Sequence, residues 1–370
     1  MQRATKLALD ATEAAQPERT GIGIYSEKLL FHLAHLLITD PSRPFRAVLG
    51  FRPGPFFQWA WSHTWPMPFS ISPLLDPWFR FPRAELFHGL NQWLPERRYP
   101  VQVVTLHERY PSLSTSYSTP DFQRYMAERI EKATRRADRI IAVSDSVRQQ
   151  LLAHDPTLGN KIRVIHHGVD PPRLASQDEM NAFHKSVLGF VNGERFFLNV
   201  GAIQTRKNIA SIALALRQVP GFKLVLAGGD GYGAEEIRTL IRKEGLQDRV
   251  VFLGHTQPDT LRLLYLTATA LVFPSFEEAF GMPILEAMGY GLPVITSDTS
   301  AMPEIGGNAA LYVDPNNISY IRDAMLLVAE DDTLARDLGR RGRQRASEFR
   351  WEDCASQTWK LYQEVLQEHT

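Results

Sequence analysis

One pattern recurs twice along this chain: a short apolar run, a turn, then a helical periodicity. In the first half the runs are residues 6–10, 46–51, 86–89, 101–106, 139–143 and 163–165. In the second they are 195–200, 223–227, 250–253, 270–273, 293–296 and 310–313. Between them lie patterns such as Leu29, Leu30, Leu33, Leu36 and Leu37, which share a helix face. Strands that alternate with helices predict parallel sheets covered on both faces. Two such series in 370 residues predict two doubly wound α/β domains. Ligands of such domains bind at the carboxyl ends of the strands.

Composition excludes several classes. Formal net charge is zero, so there is no global basic signature for nucleic acid. The single cysteine, Cys354, excludes an internal disulfide and a multi-cysteine metal site. The first residues do not read as a signal peptide, and no run approaches a membrane span, so a cytoplasmic protein is expected. Residues 51–83 are unusual, with Phe56, Phe57, Trp59, Trp61, Trp65, Phe69, Trp78, Phe79 and Phe81 among seven prolines. That proline density excludes a helix or central strand. Two readings stand: a loop packed on its own domain, or a surface for acceptor or for peripheral contact with the inner face of the cell membrane.

Candidate chemistry concentrates in residues 274–293. An apolar run there ends at a loop holding Glu278, Ala279, Phe280, Gly281 and Met282. A helical pattern with Glu286 follows, opened by Pro283. A strand, a glycine loop and a helix start hold anions, phosphates above all. Upstream, Arg206 and Lys207 follow Gly201 after another strand. Cations and helix amides suit a diphosphate, and a carboxylate accepts bonds from ribose or sugar hydroxyls. A nucleotide-sugar site is the expectation from this chemistry. His88, His166 and His167 read as packing or capping residues, and the arginines from Arg336 to Arg345 read as a solvated helix face.

At this point the chain resembles a known family. Pro274-Ser275, Glu278 through Glu286, Gly291-Leu292-Pro293-Val294 and residues 302–310 look like the signature of the retaining glycosyltransferases of family four, the group-one type with two glutamates eight positions apart. Thr20 to Tyr25, Phe87-His88-Gly89, Ala142-Val143-Ser144, His167 to Asp170, Arg206-Lys207-Asn208 and Phe349 to Glu352 follow the family's order.

The resemblance implies a GT-B fold, two Rossmann-like domains facing each other across a cleft. It places an acceptor-side domain at 1–171, joined by the final helix at 348–370, and a donor domain at 172–347. It implies that Arg206 and Lys207 neutralise the donor diphosphate. Glu286 would bond the ribose, and Glu278 and His107 the transferred sugar. Gly21, Gly23 and Gly201 would admit phosphates, Phe280, Gly281 and Met282 would present amides, and His255 would lie near the base. Ala279, Ala202 and Glu108 depart from the commonest pattern. No metal or other cofactor is implied.

The implied reaction is transfer of a hexose from a nucleotide sugar, with mannose from GDP-mannose as first choice, to a polysaccharide, oligosaccharide or lipid-linked acceptor. A UDP-hexose donor is the alternative. Two further classes compete: a non-catalytic nucleotide-sugar-binding subunit, and an epimerase or phosphorylase of the same fold.

Overall fold

The computed structural model describes residues 5–16, 20–39, 45–52, 69–73, 83–107, 117–190 and 194–369. Most of the aromatic stretch at 51–83, and Glu108, lie outside the described residues. The chain divides into two compact units, which exchange at Gly168/Val169 and again at Phe349/Arg350.

The first unit is built on strands β1 (Thr5–Asp10), β2 (Phe45–Phe51), β3 (Phe69–Pro73), β4 (Leu86–Gly89), β5 (Val101–Leu106), β6 (Arg139–Ala142) and β7 (Ile162–Val164). Their order is β3-β2-β1-β4-β5-β6-β7, and every pairing is parallel. Every residue of β4 and β5 is buried, so neither strand shows the alternation of a half-exposed sheet. Helix α1 (Gly21–Thr39) buries Tyr25, Leu29, Leu30 and Leu33. Against it packs the last helix of the chain, Trp351–Glu368, with Trp351, Cys354, Leu361 and Tyr362 inward. The end of the chain, resuming at Arg350 after leaving at Gly168, thus completes the first unit's core.

The second unit has strands β8 (Arg195–Val200), β9 (Phe222–Ala227), β10 (Val250–Gly254), β11 (Ala270–Phe273), β12 (Val294–Ser297) and β13 (Leu311–Val313). They are parallel, in the order β10-β9-β8-β11-β12-β13. Phe197, Leu224, Leu226, Val272 and Ile295 of the sheet meet Ile209, Ile212, Leu216, Ile321 and Met325 of covering helices in one core. Each such side chain, removed from water, stabilises the unit by about 2 kcal/mol.

Between the two strand series, Gln177–Ser186 forms a helix capped by Ser176, whose side chain accepts from the amide of Glu179. Phe183 is its only buried residue, too little apolar signal to reveal a helix. The arginines of the helix Asp332–Ala346 do not form one solvated face. Arg336, Arg340 and Arg343 are exposed, but Arg345 donates from Nε to the carbonyl of Ile305 at 3.0 Å and lies 4.7 Å over the Phe349 ring.

Candidate active site

In the second unit the strand order reverses between β8 and β11, which lie side by side. Loops leaving the carboxyl ends of two such strands run in opposite directions and leave room between them, where doubly wound sheets bind ligands. The loop after β8 carries Arg206 and Lys207 on a short helical turn, Thr205–Lys207. The loop after β11 carries Glu278. These side chains meet. Lys207 Nζ lies 2.7 Å from Glu278 Oε1, and Arg206 Nη1 lies 2.9 Å from Oε2.

The backbone fixes this arrangement. Asn208 adopts the left-handed conformation, with φ 57°, at the join between the turn and the next helix. Its buried side-chain amide donates to the carbonyls of Pro274 at 3.1 Å and Pro315 at 2.7 Å. The amide of Phe276 donates to the carbonyl of Arg206 at 3.0 Å, so the two loops are tied together directly. Ser300 accepts from the amide of Glu278 at 2.9 Å and returns a bond to its carbonyl at 3.0 Å. Gly201 supplies space, since a Cβ there would sit 3.1 Å from Lys207 Cε. Asn208→Ala leaves two buried carbonyls without their donor and strains the backbone. It is expected to cost about 3 kcal/mol in urea denaturation. Asn208→Gly, which tolerates the φ, costs less.

Electrostatics favour full ionisation. Burial by itself raises the Glu278 pKa, but Arg206 and Lys207 overcome it and hold the carboxyl at about 2. Two cations against one carboxylate leave a net charge of +1 in a largely buried spot. Lys207 also lies 4.4 Å from the centroid of the Phe273 ring, whose π-face suits a cation. Such a cluster can accept an anionic group with little rearrangement, since its donors are already held in place.

Beyond Glu278 the chain reaches Gly281 at φ 97° and enters the helix Met282–Tyr290. The Phe280 side chain is buried, edge-on to Phe349 with centroids 6.2 Å apart. Only its backbone therefore suits the role expected of it. Glu286 is half-buried, and its carboxylate accepts from the Tyr265 hydroxyl at 2.7 Å. Its pKa is raised, first by burial and also by the charge of Asp170, while the Tyr265 hydroxyl works in the opposite direction. His255 is exposed just after β10. Gly228 and Gly254, at the ends of β9 and β10, form a backbone bridge beside it.

The first unit holds a separate buried cluster around His107, which ends β5. His107 Nε2 bonds the carbonyl of Leu90 at 2.8 Å, and its backbone amide donates to Gln92 Oε1 at 3.1 Å. Burial lowers its pKa to about 4, so the ring is neutral near pH 7. A neutral ring that donates from Nε2 keeps a lone pair on Nδ1 as acceptor. Tyr25 and His167 flank the ring with centroids 4.5 and 5.3 Å away. Behind it runs a hydroxyl–imidazole chain. Tyr362 Oη meets His88 Nδ1 at 2.6 Å, His88 Nε2 meets Thr105 Oγ1 at 2.8 Å, and Thr105 Oγ1 meets Tyr25 Oη at 2.9 Å.

The glycine pair near residue 20 reads differently in three dimensions. Gly21 and Gly23 are not a turn before the helix but its first turn. Thr20 Oγ1 caps it by accepting from the amide of Gly23 at 3.1 Å. Gly23 is buried, and a Cβ there would meet the carbonyl of Glu13 at 3.0 Å. Close packing on the 12–15 turn therefore explains Gly23, whereas Gly21 is exposed.

Tyr265, Ser300, Asn208 and Asp170 were not singled out as site residues from the sequence. Asn208 and Asp170 lie in motifs visible in the sequence, and Ser300 is one of several polar residues shortly past β12, whereas Tyr265 carries no such mark. No group of three or more His, Cys, Asp or Glu side chains among the described residues is arranged to hold a metal ion. No described helix is long and apolar enough to cross a membrane.

Comparison with known proteins bears on family and fold. The family model "Glycosyl transferases group 1" matches residues 180–345, and "Glycosyltransferase Family 4" matches residues 32–173. O-antigen chain mannosyltransferase B of Escherichia coli is 29% identical over 294 residues, 75% of this chain and 74% of that protein. O-antigen chain mannosyltransferase RfbU of Salmonella typhimurium is 29% identical over 219 residues, with 58% of this chain and 57% of that protein covered. Among solved structures, sucrose-phosphate synthase from Thermosynechococcus elongatus superposes with a TM-score of 0.76 at 22% identity, covering 98% of this chain and all of that one. Anabaena Alr3699/HepE, solved in complex with UDP and glucose, superposes with a TM-score of 0.72 at 18% identity, over 98% of this chain and all of that one.

Proposed function

This chain is a glycosyltransferase of the group 1 family with the GT-B fold, and from that premise we propose that it moves mannose from a nucleotide sugar to a growing polysaccharide or lipid-linked oligosaccharide, with retention at the anomeric carbon. One observation carries the proposal: the ion-paired cluster of Arg206, Lys207 and Glu278 at the strand-order reversal of the second unit.

Departure of the nucleoside diphosphate is the costly event, because negative charge grows on the leaving oxygen. Arg206, Lys207 and the amides of Phe280, Gly281 and Met282 stabilise that charge from fixed positions, which avoids the cost of reorienting solvent. Glu278, held ionised, accepts from sugar hydroxyls and keeps both cations in place. Glu286 accepts from the ribose hydroxyls. His107 offers its Nδ1 lone pair to a sugar hydroxyl. Gly21, Gly23 and Gly201 are the glycines assigned to donor phosphates, and His255 is assigned to the base.

In the step itself the bond from the anomeric carbon to the phosphate oxygen breaks. The bond to the acceptor oxygen forms on the same face, and the acceptor proton passes to the departing phosphate oxygen. Retention then needs no protein nucleophile. Residues of this chain bind, orient and supply charge, and no metal is assigned a role.

GDP-mannose is the first choice of donor, because the relatives named above are mannosyltransferases. A UDP-hexose is the second reading, favoured by a solved structural neighbour bound to UDP-glucose. A thermal-shift screen separates them. At a ligand concentration of 100 Kd, binding stabilises by about 2.7 kcal/mol, which is a clear rise in Tm. GDP-mannose is expected to give it, and UDP-glucose, UDP-galactose and UDP-N-acetylglucosamine are not. A rise with a UDP-hexose alone moves the donor to the second reading. No response to any nucleotide sugar overturns the donor site.

A further inference from the structure

Tyr265 sits on the helix Pro258–Thr267, and Glu286 on the helix Met282–Tyr290. The Tyr265 hydroxyl donates to Glu286 Oε2 at 2.7 Å. The tyrosine is 3% exposed, and its ring stacks on Tyr290 with centroids 5.7 Å apart and planes 13° from parallel. Tyr290 lies one turn beyond Glu286 on the same helix, so the Tyr265 ring has little freedom to turn. Its own helix is pinned as well. Arg262, one turn earlier, donates to the carbonyl of Leu174 at 3.2 Å and pairs with Glu179.

We propose that Tyr265 is the positioning residue of the nucleotide site: it holds Oε2 of Glu286 so that Oε1 faces the two ribose hydroxyls in one fixed orientation. This rests on the reading of Glu286 as the ribose ligand. The charge state of Glu286 depends on the same contact. Burial and the neighbouring Asp170 both push its pKa up, and the Tyr265 hydroxyl, bonding the ionised form, pulls it down. Of the other elements packed on this helix, the one at Met302–Gly306 carries Glu304 and the one at Asp332–Ala346 brings Arg343 against Gly291, past the helix end. Neither is among the groups that shift Glu286.

Tyr265→Phe deletes one oxygen and keeps the stacked ring, so it isolates the bond. The expected result is a roughly tenfold rise in KM for the nucleotide sugar, the worth of a hydrogen bond to a charged group. Turnover at saturation is expected to stay within about twofold, as for lost uniform binding. The acidic limb of the kcat/KM profile should move upward, because the carboxylate loses its stabilising donor. A residue that merely packs would leave that limb where it is. Glu286→Gln separates the two layers. If it leaves KM unchanged, the ribose reading fails. If it raises KM while Tyr265→Phe moves neither KM nor the acidic limb, the positioning role alone fails. In the Glu286→Gln background Tyr265→Phe should add nothing to KM, and an undiminished effect there would also overturn the proposal.

Discussion

Lys207→Ala is expected to lower the rate of sugar transfer by roughly 10²–10³-fold, the usual cost of removing one preorganised donor from a site of developing charge. Two effects combine. The leaving diphosphate loses a cation, and Glu278 loses the nearer of its two partners, at 2.7 Å. The remaining pair with Arg206 cannot hold the carboxyl as far below its ordinary range, because the charge and hydrogen bond of Lys207 no longer oppose burial. The variant should therefore be less stable by about 3 kcal/mol, the low end for breaking a buried ion pair. Urea denaturation reads the stability and steady-state kinetics read the transfer. Lys207→Met with Glu278→Gln removes the pair together, and should recover stability without recovering transfer. A folded Lys207→Ala protein with unchanged kcat and KM would remove Lys207 from the reaction.

Acid is expected to destabilise the first unit well before carboxylates protonate. His88 and His107 are buried with pKa values lowered to about 3 and about 4, and that of His167 lies well below its ordinary value. Burial is the first cause in each. An unfolded histidine titrates near 6.5, so from there down to the folded pKa the unfolded chain binds more protons. Stability is full above pH 6.5 and is lost as pH falls through that window. By pH 5 His88 and His107 each account for about 2 kcal/mol. Glu278 has the same sign in a lower window, with stability present above 4.5 and lost towards its folded pKa of about 2. Glu286 opposes both, since a raised carboxyl binds its proton more readily in the folded state. Tm measured from pH 8 to pH 5 should fall, most steeply below 6.5. A flat profile would mean that these rings take up protons in the folded protein as readily as in the unfolded chain.

The sequence was sufficient for the architecture because strand burial is local information. The run 101–106 is apolar or β-branched at five of its six positions, and it lies buried on both faces of the sheet. The alternation of such runs with helical patterns implies parallel strands, and from there the loops at their carboxyl ends. Arg206, Lys207, Glu278 and His107 all follow strands in this way, and Glu286 lies on the helix that the loop after β11 enters. The helix Gln177–Ser186 is short and weakly apolar, with only Met180, Ala182 and Phe183 to show a face, and its clearest mark is the Ser176-to-Glu179 capping spacing.

What the chain alone determined, then, is which segments become strands and which chemical groups stand at their ends. Tertiary structure decided how those groups pair. The contact of Lys207 with Glu278 joins residues 71 positions apart, and that of Tyr265 with Glu286 joins residues 21 apart. It exists because strand order, absent from any local pattern, sets β8 beside β11. The same holds for Gly23, where only the fold shows that a side chain would come within 3.0 Å of the Glu13 carbonyl. Periodicity is written residue by residue, but charge neutralisation, hydrogen-bond partners and the pKa shifts that follow depend on distances that only the folded sheet creates.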